Sequence, residues 1–170
     1  MVTFEALAHH HSKKAGRELP SCLLCIDPGE TTGWAIFHTT GLFHVDQFGT
    51  PDAASGTEEV KKILLQYKPD EVVIEDYRVY SWRSQHHSWS SLHTPRLIGG
   101  IEYLCHERGI KLTKQMAQTG KNFVSNEKLK AWGFYRPGKK HAMDAVRHGC
   151  YYLVFGPPKF KLKPKGHHVG

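Results

Sequence analysis

Two short apolar runs in this chain each end abruptly in an acid. Cys22-Leu23-Leu24-Cys25-Ile26 gives way to Asp27, and Val72-Val73-Ile74 gives way to Glu75. A continuous apolar run of four to eight residues is the pattern of a strand covered on both faces, as in the parallel part of an α/β sheet. A carboxylate at its end then emerges at the sheet edge. If the two runs are neighbouring strands, both acids reach the same end of the sheet. A chain of 170 residues suits one domain built around such a sheet.

The order of the remaining patterns narrows the topology. Gly33 to His38 and Leu42 to Phe48 read as strands, and Thr39-Thr40-Gly41 between them reads as a turn, so the first three strands form an antiparallel meander. Thr57 to Tyr67 carries apolar residues at Val60, Ile63, Leu64 and Tyr67, a helical period, and leads into the Val72 strand. A longer helix starts near Thr94-Pro95 and stops at Gly109. Ile110 to Thr113 reads as a fifth strand. After a polar stretch from Gln118 to Asn126, a last helix runs from about Lys140 through Leu153. The order β-β-β-α-β-α-β-α, with later strands reached through helical crossovers, is that of the RNase H-like fold: a mixed five-stranded sheet, antiparallel in its first three strands and then parallel, flanked by helices.

On the last helix His141 and Asp144 lie three apart, on one face, and can approach the edge where Asp27 and Glu75 emerge. Each of these residues has an ordinary explanation by itself. Asp27 can open a turn with Pro28 and Gly29, Glu75 can be a solvated strand end, and Asp144 can pair with Lys140 or Arg147. Taken jointly, they are a donor set for hard divalent cations. Phosphodiester hydrolysis without a covalent intermediate uses two such ions about 3.5 to 4 Å apart, held by clustered carboxylates. Asp27, Glu75, His141 and Asp144 are therefore the candidate catalytic and metal-binding residues. Asp76 points to the other strand face and is at best a support.

These same residues carry a resemblance. Ile-Asp-Pro-Gly-Glu-Thr-Thr-Gly-Trp-Ala at 26 to 35 resembles the first-strand signature of RuvC-type Holliday junction resolvases. Ile74-Glu75 is similar to their second motif, and Lys140-His141-Ala142-Met143-Asp144-Ala145 to their last. The resemblance spans about Leu23 to Leu153. It implies Mg²⁺ or Mn²⁺, two ions per site, a homodimer, and branched DNA as substrate. In it Asp27, Glu75 and Asp144 would be ligands, and His141 either a ligand or a base that orients water. It also implies lysines at the phosphates, for which Lys114 in Lys114-Gln115 and Lys128 in Glu127-Lys128 are candidates, and Lys121 and Lys140 are further candidate nucleic-acid contacts. The alternative to that role is a set of surface lysines on a basic protein.

The charge balance agrees with a polyanionic partner: 23 Lys and Arg against 16 Asp and Glu give a formal +7. Tyr80, Trp82 and Arg83 belong to a stretch, Tyr77 to His93, in which aromatics alternate with cations. Such a stretch suits stacking on unpaired bases, or packing in a satellite core or dimer contact. Residues 21–156 are read as the nuclease domain, 1–20 as a flexible basic lead, and 157–170 as a basic Pro/Lys-rich tail. No run approaches the ~20 apolar residues of a membrane span, and a soluble, cytoplasmic protein is expected. Cys22 and Cys25 are three apart in a strand and so face opposite sides, which favours small buried residues over zinc or redox chemistry.

Other readings share these motifs. An RNase H-like nuclease that trims ribosomal RNA precursors has a similar first motif, and a DNA-binding module on the same fold needs no acids at all. The Asp-x-Gly-x-Thr-Thr-Gly pattern also resembles the phosphate loop of actin-like ATPases, but those need two such domains.

Overall fold

The computed structural model describes residues 2–77 and 92–158. Its elements run α1 (Phe4–Lys14), β1 (Cys22–Asp27), β2 (Thr31–His38), β3 (Gly41–Gly49), α2 (Ala53–Tyr67), β4 (Glu71–Asp76), α3 (His93–Glu107), β5 (Lys111–Met116), α4 (Ala117–Phe123), α5 (Asn126–Ala131) and α6 (Lys140–Phe155). One five-stranded sheet has the order β3-β2-β1-β4-β5. The β1–β2 and β2–β3 pairs are antiparallel, and β1–β4 and β4–β5 are parallel. This is the RNase H-like sheet expected from the sequence.

Alternation along β1 sorts its side chains between two cores. Leu23 and Cys25 join Ala35, Phe37 and Val73 beneath α1 and α6. Cys22, Leu24 and Ile26 join Ile36, Val72 and Ile74 beneath α2 and α3. All four cysteines are buried free thiols. Because odd-numbered residues of β1 and β4 face α6, Asp27 and Glu75 inherit that direction. The pairing of Ile26 with Ile74 places the two acids side by side at one end of the sheet.

Several elements depart from the sequence-based expectation. The lead over 1–20 is not wholly flexible, since Thr3 caps α1 by accepting a hydrogen bond from the Ala6 amide, and Phe4, Ala8 and Ser12 are buried at helical spacing. Phe4 sits against Phe37, Trp132 and Phe134. The three consecutive histidines mask that stripe in the sequence. The α2 helix starts earlier than Thr57, because Asp52 Oδ1 accepts from Ser55 N at 2.8 Å while Thr57 only bonds back to the Ala53 carbonyl. The fifth strand continues to Met116, its inward positions filled by the polar Thr113 and Gln115. Two short helices, α4 and α5, fill what reads as a polar stretch. Residues 159–170 of the basic tail, and Tyr80, Trp82 and Arg83, lie outside the described residues. Among the described residues no helix is long and apolar enough to cross a membrane.

Candidate active site

The first motif builds a cradle from backbone geometry. Asp27 ends β1, and the chain turns through Pro28 and Gly29 into β2. Thr32, fully buried, donates from Oγ1 to the Gly29 carbonyl at 2.9 Å and locks that turn. Gly33 pairs with Asp27 across the strands. A Cβ on Gly33 would lie 2.0 Å from the His141 carbonyl carbon, so only glycine lets the first turn of α6 settle onto β2. Lys139 anchors the same end of α6 through its ammonium, 2.8 Å from Asp46 Oδ1 on β3.

With α6 seated, the four expected residues converge. Asp27, Glu75, His141 and Asp144 line one cavity of about 430 Å³ together with Lys121, Lys140 and the 28–31 turn. His141 Nδ1 is 3.0 Å from Asp27 Oδ2. Asp144 is held on both oxygens: Arg147 donates to Oδ1 at 2.8 Å, and the Lys121 ammonium is 3.2 Å from Oδ2. Glu75 Oε2 is 2.9 Å from Nε2 of His148, a buried histidine one turn beyond Asp144. Asp144 thus makes the ordinary pair with Arg147 and also lines the cavity.

Crowding of acids shows in their electrostatics. Burial raises the Asp27 pKa to about 6, Glu75 and Asp144 push it the same way, and the hydrogen bond and charge of His141 oppose them. Burial disfavours the charge on Lys121, yet Asp144, Glu75 and Asp27 together hold its pKa above the ordinary lysine value. An ammonium therefore stands as a cation among three carboxylates.

That arrangement bears on metal binding. The donors are hard carboxylate oxygens and an imidazole, the set a Mg²⁺ or Mn²⁺ site uses, and they already hold the Lys121 ammonium, with Arg147 on the far oxygen of Asp144. Each donor is nevertheless turned toward a protein partner. Among the described residues no three His, Cys, Asp or Glu side chains are gathered as a ready cage. The residues fit the cation chemically, and they would take it by exchanging the Lys121 ammonium for the ion, while Asp27 and Glu75 each keep one oxygen on a histidine.

The candidate phosphate contacts divide. Lys121 and Lys140 line the acid cavity and also an adjoining cleft of about 500 Å³ that includes Arg136, Lys139 and Arg147. Lys114 instead pairs with Glu102 and lines a separate cavity near Tyr151 and Phe155. Lys128 donates to the Phe123 carbonyl at 2.7 Å and lies over the Phe123 ring, closing the end of α4. Asp76 also borders the separate cavity, away from the acid cluster. Sequence reading missed Gly33, Thr32, His148 and Gln115. Helical spacing offered a signal for His148, four residues after Asp144 on the face that already carried His141.

No protein-family model matches the chain, and neither does any curated protein sequence. Solved structures do. The chain is similar to RuvC of Thermus thermophilus in complex with a Holliday junction substrate, at 15% identity and a TM-score of 0.62, covering 79% of this chain and 93% of that one. It is similar to the yeast mitochondrial Holliday junction resolvase Ydc2 at 13% identity and a TM-score of 0.57, covering 92% and 94%. The fowlpox virus Holliday junction resolvase follows at 15% identity and a TM-score of 0.51, covering 78% and 97%. At these identities the likeness establishes the RNase H-like fold.

Proposed function

We propose that this chain is a structure-selective endonuclease that hydrolyses phosphodiester bonds in branched DNA, as a homodimer on four-way junctions or forks. The observation that carries the reading is the convergence of Asp27, Glu75, His141 and Asp144, from three separated segments, on one cavity beside a cation-lined cleft. Structural neighbours named as Holliday junction resolvases support the choice of branched DNA.

In this reading the carboxylates of Asp27, Glu75 and Asp144 would hold divalent ions. Bound Mg²⁺ or Mn²⁺, two per site, would supply Lewis-acid activation of water and stabilisation of the leaving oxygen. The remaining work falls to the chain. Asp27 accepts at His141 Nδ1 and so fixes the tautomer whose Nε2 takes a proton from the attacking water. Lys140 and the displaced Lys121 neutralise the scissile phosphate. Arg136 and Lys139, along the adjoining cleft, steady the strand on either side of it.

The test is cleavage of a labelled four-way junction, with duplex, single-stranded DNA and structured RNA alongside, comparing wild type and Asp27→Asn in Mg²⁺ and Mn²⁺. Paired symmetric nicks in the junction, absent from Asp27→Asn, are expected. Preferential cutting of RNA would move the substrate to RNA processing, and binding without cleavage of any substrate would overturn the nuclease reading.

A further inference from the structure

One buried histidine at the site has no part in that chemistry. His148 is 1% exposed and sits on α6 four residues beyond Asp144. It reaches the sheet because the next residue is glycine. A Cβ on Gly149 would lie 2.5 Å from the Phe37 ring and 2.6 Å from Cys25 Sγ, so the helix lies directly on β1 and β2 at this level.

Both ring nitrogens of His148 are engaged. Nε2 is 2.9 Å from Glu75 Oε2, and Nδ1 is 2.9 Å from Gln115 Oε1. Gln115 is itself buried, and its Nε2 donates to the His148 carbonyl at 3.3 Å. A carbonyl oxygen only accepts, so that bond fixes which end of the amide meets the ring. Oε1 therefore faces Nδ1 and accepts from it. Because the Glu75 carboxylate also only accepts, Nε2 donates to Oε2, and the ring carries a hydrogen on each nitrogen. The orientation of the imidazole follows, with Nε2 aimed at Glu75. The parallel register that pairs Glu75 with Gln115 brings both residues under the same ring.

We infer that His148 is a positioning residue, held in one orientation by Gln115, that pins Oε2 of Glu75 and leaves Oε1 to meet a cation in the acid cavity. This rests on the reading of Glu75 as a metal ligand. A carboxylate on a free rotor would lose orientational entropy on gripping an ion, whereas one already fixed by a buried ring does not. A merely structural histidine, buried like this one, would satisfy both nitrogens on any polar partners and would need no route to a carboxylate of the site. Here the chain Gln115, His148, Glu75 ends on the cavity.

The experiment compares wild type, Asp27→Asn, His148→Leu, His148→Gln and Gln115→Leu by calorimetric titration with Mn²⁺, by metal-free junction affinity, and by kcat and KM for nicking. In His148→Leu, Mn²⁺ affinity and kcat are expected to fall roughly 10- to 100-fold, with junction affinity and KM unchanged. His148→Gln keeps an N–H that can reach Oε2 and is expected to recover most of the loss. Gln115→Leu, which frees the ring without removing it, is expected to lie between. Wild-type Mn²⁺ affinity in folded His148→Leu would overturn the inference, as would equal losses of junction and metal binding. If His148→Leu does not fold, unchanged Mn²⁺ affinity in Gln115→Leu overturns it instead. Loss of Mn²⁺ binding in Asp27→Asn but not in the His148 and Gln115 variants sinks this inference alone. A wild type that binds no Mn²⁺ sinks the nuclease reading and the inference with it.

Discussion

Asp27 and Glu75 end two adjacent strands by the same sequence device, yet they are supported differently. Asp27 meets His141 in the solvent-facing first turn of α6, where the histidine side chain is 42% exposed. Glu75 meets His148 two turns further on, where the ring is buried and backed by Gln115. Positions 141, 144 and 148 fall on one face of the helix. The α6 helix is thus laid across the β1–β4 pair so that one histidine serves each strand end, with Asp144 between them. Under the proposed function the two pairs would divide the labour, the exposed one handling protons and the buried one holding geometry.

The largest effect that tests this comparison is loss of either acid. Asp27→Asn and Glu75→Gln are each expected to lower kcat for junction nicking by roughly a thousandfold, about 4 kcal/mol of transition-state stabilisation. A large loss in only one of them would break the symmetry of the two strand ends. Gly33→Ala should come next. Its methyl would collide with the His141 backbone, forcing α6 off β2 at a cost of about 1 to 3 kcal/mol. Urea unfolding measures that cost, and the Asp27 to His141 contact should be lost while the Glu75 to His148 contact persists.

A third test separates the pairs by pH. The folded state raises the Asp27 pKa from 3.8 to about 6, mainly through burial, so it favours the protonated acid. The stability this confers is full below pH 3.8 and is lost as pH rises through about 6. In metal-free buffer above pH 6, Asp27→Asn should therefore unfold at higher urea than wild type, by at most about 3 kcal/mol. The gap should close as pH falls from 6 to 4. The smallest effect concerns Lys121. Removing its ammonium in Lys121→Met should tighten Mn²⁺ binding by a few fold, about 1 kcal/mol by affinity arithmetic, and still slow cleavage. Weaker Mn²⁺ binding would show that the lysine is not a competing cation.

The sequence was informative where chemistry and periodicity coincide. Asp27 and Glu75 stood out because an acid terminates a run with no other polar residue, and His141 and Asp144 because their spacing matches a helix face. The mixed sheet, antiparallel in its first three strands and then parallel, followed from the crossovers, whereas the adjacency of β1 and β4 was only a condition. What escaped reading is instructive in physical terms. Gln115 and Thr113 are polar side chains at buried positions of β5, so the strand looked two to three residues shorter than it is. Gly33 and Thr32 act through a close approach and a turn lock, neither of which leaves a period. The α1 stripe of Phe4, Ala8 and Ser12 contains one large apolar residue among histidines. His148 was within reach, since it continues the 141 and 144 face, but a histidine flanked by Arg147 and Gly149 carries no sign of its partner on another strand.

In the proposed nuclease the acids at the ends of β1 and β4, with Asp144, would form the two-metal site whose place the Lys121 ammonium takes in the absence of metal. Crystals grown with Mn²⁺ and measured at its absorption edge test this directly. Anomalous peaks are expected in contact with Asp27, Glu75 and Asp144, with the Lys121 ammonium moved off Asp144. Lys121 still paired with Asp144, and manganese bound elsewhere or nowhere at a concentration that supports cleavage, would contradict it.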